Sequence, residues 1–217
     1  MEERLYKTFN YSTNMISISF TEKFNTKYVT NLEEIFYNCI SLLSVDLSKL
    51  ITVNLKSTRG MFYNCQKLTF INFTNFNTSL ITTMSSMFAG CSSLSSIDLS
   101  SFKTKNLENI EYMFSNCREL ISLNLSNFNI SKVNNMNNML FNCYSLIYLD
   151  ISSFQNDILK NISIYHGINS LSGTIKVRKK FWDLIKSEFE NWQFIIVDLD
   201  MLLNENGTSI LFNEIYK

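Results

Sequence analysis

The five cysteines of this chain stand at positions 39, 65, 91, 117 and 143, a constant interval of 26 residues. A period in the range of roughly 20 to 50 residues is the signature of a stack of like units. Stepping by the same interval puts Phe36, Phe62, Phe88, Phe114 and Leu140 in one column and Leu42, Leu68, Leu94, Leu120 and Leu146 in another. Val45, Ile71, Ile97, Leu123 and Leu149 form a third, and Leu47, Phe73, Leu99, Leu125 and Ile151 a fourth. Upstream come Val29, Leu55, Ile81, Leu107 and Val133, then Ile35, Met61, Met87, Met113 and Met139.

The first half of each unit places apolar residues at i, i+3, i+6, i+7 and i+10, which predicts one face of a helix. Its second half alternates with the period of a strand that has one buried face. Thr52, Thr78 and Thr104 precede each helical stretch as expected N-caps, and Ser131 takes that place one position later in the next unit. One such unit buries too few side chains to offset the ordering of its backbone, so stacking is obligatory. Strands of neighbouring units then pair in parallel, and each column becomes a ladder through the core. The fold class is therefore α/β, a solenoid of 26-residue helix-strand units with a parallel sheet on the concave face.

At the ends the pattern fades, as terminal units must when they meet water. Residues 1–25 are expected as an N-terminal cap built on the strand-like MISISF, and 26–178 as the solenoid, with five clear repeats and one degenerate. In the degenerate copy Leu159, Ile162, Tyr165, Ile175 and Val177 keep register, with Asn169 in the place of a sixth cysteine. Residues 179–217 are expected as a C-terminal cap, a helix over 181–192 and a hairpin turning at Asn206-Gly207.

The pattern M-F-x-x-C-x-x-L-x-x-L-D-L-S-x-F, with its L-x-x-L-x-L kernel at Leu94, Ile97 and Leu99, resembles leucine-rich repeats, and most closely the BspA-like repeats of bacterial and protist surface proteins, especially the mycoplasma-type lipoprotein repeat. The resemblance covers about residues 26 to 178. It implies a right-handed solenoid and a role in cell-surface attachment, adhesion or host-protein binding. A cell-surface or secreted location follows from the resemblance. A cytoplasmic one follows if Met1 is the native start, because MEERLYKTFNYSTN has no apolar leader.

Lys and Arg number 19 against 19 Asp and Glu. That balance leaves no basic stripe for phosphate neutralisation, so nucleic acid is not an expected partner. No apolar run is long enough to insert in a membrane. The cysteines lack the close spacing of metal ligands, and Cys39, Cys65, Cys91, Cys117 and Cys143 are expected as buried free thiols in a core ladder. His166, the single histidine, falls in the phenylalanine column, where a core or cap role outweighs catalysis. We expect no catalytic residues, no metal and no cofactor, and hence no enzyme.

Recognition is expected on the exposed strand face. There Asp46, Asn72, Asp98, Asn124, Asp150 and Lys176 form one outward column, and Ser44, Phe70, Ser96, Ser122, Tyr148 and Thr174 another. Two aromatics in a hydroxyl series on a rigid face have the form of interface anchors, so Phe70 and Tyr148 are the expected protein contacts, with Asp98 and Asp150 as polar rim. Cross-strand packing that stiffens the sheet is the competing reading. The expected function is a non-enzymatic binding module, monomeric or weakly oligomeric, docking a protein or, second to that, a glycan. A self-assembling structural component and a cytoplasmic regulator of an intracellular protein are the alternatives.

Overall fold

The computed structural model describes residues 3–154, 173–178, 182–183, 186, 189 and 192–197. The chain winds as a parallel β-solenoid whose strand side carries β2 (Ser17–Ser19), β4 (Ser44–Asp46), β5 (Phe70–Asn72), β6 (Ser122–Asn124), β7 (Tyr148–Asp150), β8 (Thr174–Val177) and β9 (Gln193–Ile196). A second line of β structure begins with β1 (Glu3–Arg4) and β3 (Val29–Asn31) and continues as single parallel bridges through Ser57, Thr83, Asn109 and Asn135. Every pairing among the described residues is parallel. The strand register joins Val45 to Ile71 and Leu123 to Leu149, which is the 26-residue step.

Among the described residues, the helix expected in the first half of each unit of the solenoid is not there. Successive three-residue turns take its place, and the reason lies in where the amides go. In the second coil the Ile35, Tyr37 and Cys39 amides bond three residues back, while the Glu34, Phe36 and Asn38 amides bond forward to Arg59, Met61 and Tyr63 carbonyls of the next coil. Half of the donors thus leave the segment, and a helix would need them all. Two positions per coil also carry left-handed backbone, at Glu34, Gly60, Ser86, Tyr112 and Asn138 and again at Asn38, Asn64, Gly90, Asn116 and Asn142. Such φ values end a right-handed helix wherever they occur, and asparagine and glycine adopt them at least cost.

Thr52, Thr78 and Thr104 are consequently not helix caps. Each hydroxyl bridges coils: the Asn77, Lys103 and Asn129 amides donate 2.7 Å bonds to Thr52, Thr78 and Thr104 Oγ1, and the Thr78 and Thr104 hydroxyls donate back to Lys103 and Asn129 carbonyls. Ser131 donates locally to the Asn129 side chain.

The interior is a set of like-on-like rows. Phe9, Phe36, Phe62, Phe88 and Phe114 stack with ring centroids 5.7, 5.4, 5.8 and 5.3 Å apart. The methionine and leucine columns are buried beside them. All five cysteines are buried and free. Each thiol has a partner: Cys65, Cys91, Cys117 and Cys143 donate to the Phe36, Phe62, Phe88 and Phe114 carbonyls at 3.1–3.2 Å, and Cys39 donates to Phe9 O. Burial in this dry row pushes every thiol pKa up, Cys143 to about 12, which keeps the sulfurs protonated and poor nucleophiles.

Residues 3–25 run as the outermost coil, with left-handed Lys7 and Tyr11 in the turn positions and β2 paired to β4 at a 27-residue step. In the segment 181–192 the described residues are Trp182, Asp183, Lys186, Phe189 and Trp192. Trp182 and Asp183 are helical, and the Phe189 and Trp192 amides each bond three residues back. The bulk of the degenerate sixth repeat, with Leu159, Ile162, Tyr165, His166 and Asn169, and the hairpin at Asn206-Gly207 lie outside the described residues.

Candidate functional site

The strand face holds the residues singled out from sequence, in the register expected of them. Ser44 lies beside Phe70 and Asp46 beside Asn72, while Ser122 lies beside Tyr148 and Asn124 beside Asp150. The acidic and amide column is occupied locally: Asp46, Asn72, Asp98, Asn124 and Asp150 each accept the amide two residues on, at 2.9–3.0 Å. These are Asx turns that bend the chain out of each strand. The bond holds the Asp46 and Asp98 carboxyls below the usual carboxylate range, for Asp46 mainly through the Ser48 amide and for Asp98 mainly through the Ser100 hydroxyl.

Asp150 departs from its expected place on the exposed rim, being only 3% exposed. Lys176 Nζ sits 3.3 Å from its Oδ2. Tyr148 is half-buried, with its phenol pKa raised first by burial and then by the Asp150 charge. Phe70 is the contrary case. It is 60% exposed on a fixed strand. Ile16 and Leu43 are exposed beside this strand line, linked by a 2.7 Å backbone bond, and Phe70 in the next coil donates its amide to Leu43 O. On the far side of the Ser95-Ser96 coil, Ile121 and Ile147 are exposed in the corresponding positions.

A recess lies on the turn side, where no residue was expected to act. The column two residues before each cysteine reads Tyr37, Tyr63, Ala89, Ser115 and Phe141. Tyr37 and Tyr63 stack face to face at 4.7 Å, and the row then drops to two small side chains. The drop opens a recess of about 630 Å³ with Tyr63, Tyr112, Phe141 and Arg118 on its walls and Ala89, Gly90 and Ser115 in its floor. Its signal in the sequence was that break in an aromatic column, visible only once the segment is known to be turns. Among the described residues no three His, Cys, Asp or Glu side chains gather as metal ligands, and no helix is long and apolar enough to cross a membrane.

Comparison with known proteins agrees with the coil pattern. The profile of a family described as "Mycoplasma protein of unknown function, DUF285" matches residues 3–72 and 60–176. No curated protein and no solved structure matches the chain.

Proposed function

Since the chain belongs to DUF285, a Mycoplasma family of unknown function, its role has to be read from its own surface, and we propose that it is a non-enzymatic binding module whose strand face docks a protein. The exposed Phe70 carries the reading. A phenyl ring held outward by a paired strand, with Ile16 and Leu43 nearby and serines in the adjoining coil, gives a partner an apolar anchor at little cost in ordering. Burying such a ring in a complex contributes about 2 kcal/mol. Tyr148 is half-buried and offers a partner less free surface than Phe70 does. The resemblance of the repeat to surface adhesins favours a partner met at a cell surface, which antibody labelling of intact against permeabilised cells tests.

The binding test is affinity capture with the wild-type chain beside Phe70→Ala and Leu43→Ser. Proteins retained by the wild type and lost by both variants, at unchanged melting temperature, support the reading. Equal retention by all three sinks it. If the wild type dimerises with concentration and Phe70→Ala stays monomeric, the face serves self-assembly instead.

A further inference from the structure

We propose that the turn-side recess between Tyr63 and Phe141 is a carbohydrate-binding site, separate from the strand face. The aromatic column that lines the outside of the turns is interrupted for two coils, so the ring at each end of the gap has lost the stacking neighbour it would have there. Three coil steps separate the two aromatics, roughly 14 Å at about 4.8 Å per step. The side-chain amide ladder beside it is interrupted at the same place. Asn64 donates to Asn38 and Asn142 donates to Asn116, but Gly90 stands between the two pairs with no side chain. A Cβ at Gly90 would come within 3.1 Å of the Asn64 backbone, and its φ of +78° also favours glycine. Two independent columns therefore go small in the same coil, and the recess is their joint consequence.

The lining selects the ligand. The volume falls within the roughly 300–1,000 Å³ of small-molecule sites. Arg118 is its sole charged member, and its guanidinium has no hydrogen-bond or ion-pair partner among the described residues. A purely apolar ligand would cover the Arg118 guanidinium without giving it a partner. A bare phosphate would find one cation and leave the rings unused. A short oligosaccharide answers both halves of the lining: one pyranose packs a C–H face on Tyr63 and another, at the far end of the gap, on Phe141, while their hydroxyls, or the carboxylate of an acidic sugar, meet the amides and Arg118.

The test is calorimetric titration of the full chain with three probes, triacetylchitotriose, maltotriose and trigalacturonic acid. At least one is expected to bind in the millimolar range or tighter, with Tyr63→Ala weakening it roughly tenfold or more. Ala89→Tyr, which continues the aromatic column and fills the recess, is expected to abolish binding while leaving the melting temperature within error. Phe70→Ala is expected to leave sugar binding unchanged, which separates this site from the strand face. Absence of heat with all three probes, or wild-type affinity in a folded Ala89→Tyr protein, overturns the proposal.

Discussion

The two sides of each coil are built from the same repeat, yet they hold together differently. On the turn side three links run without a gap: the bridges from Asn31 to Asn135 are consecutive, the phenylalanine rings stack from Phe9 to Phe114, and a thiol joins each coil to the one before. On the strand side the ladder is split into sheets of three and four strands, because residues 96–98 pair with neither neighbour. Ile97 is only half-buried there, whereas Val45 and Leu123 in the same column are buried. The split lies beside Phe73, which stands where other coils have Leu or Ile and packs edge-on to Phe76, Phe88 and Phe102. A ring takes more room between coils than a leucine does. The comparison teaches that the turns, not the strands, are the continuous spine of the stack, and that the strand face is free to vary.

The largest expected effect comes from cutting that spine. Phe88→Ala removes a fully buried ring stacked on both sides and is expected to cost about 3 to 5 kcal/mol by denaturant unfolding. Ile97→Ala on the frayed strand should cost about 1 kcal/mol, since the side chain is already partly in water. Equal costs would break the distinction between the two sides.

Hydrogen exchange sharpens it next. The amides of Phe62 and Phe88, bonded to the following coil, are expected to exchange slowly, and those of Ile97 and Asp98 to exchange fast. Phe73→Leu should slow exchange at 97 and 98 if the ring props the coils apart. No change there would mean that Ser95 and Ser96, which precede Ile97, weaken the ladder by themselves.

The smallest effect concerns pH. Asp46 and Asp98 have folded pKa values below their unfolded ones, so each adds stability that is full above the unfolded value and is lost as pH falls through the folded one. Asp46→Asn with Asp98→Asn is expected to flatten the acid limb of a melting-temperature profile below about pH 4 while changing little at neutral pH, because Asn72 and Asn124 already make the same turn. An undiminished acid limb would assign it to other carboxylates.

Much of the interior was legible because a column repeated five times is its own evidence: the 26-residue step is the strand register, and the Met and Phe columns are the buried rows. The outward columns on the strand face were legible too, since alternation fixes which side a residue faces. What each outward residue does there was not. Alternation alone would expose Asp150, whereas in the fold it is buried with Lys176 Nζ 3.3 Å from its carboxylate. The turn-side recess stayed hidden behind the helix reading, which gave Ala89 and Ser115 no common wall.

By itself the sequence determined the period, the rows that meet inside and the need to stack, because those follow from spacing and from the cost of leaving apolar side chains wet. Only the tertiary structure decided that the three-residue spacing is turns and not helix. A lone segment offers its amides just the carbonyls of its own chain, and a helix would use them. The neighbouring coil supplies a second set of carbonyls at hydrogen-bond distance, and left-handed positions such as Asn64 and Gly90 turn alternate amides towards it.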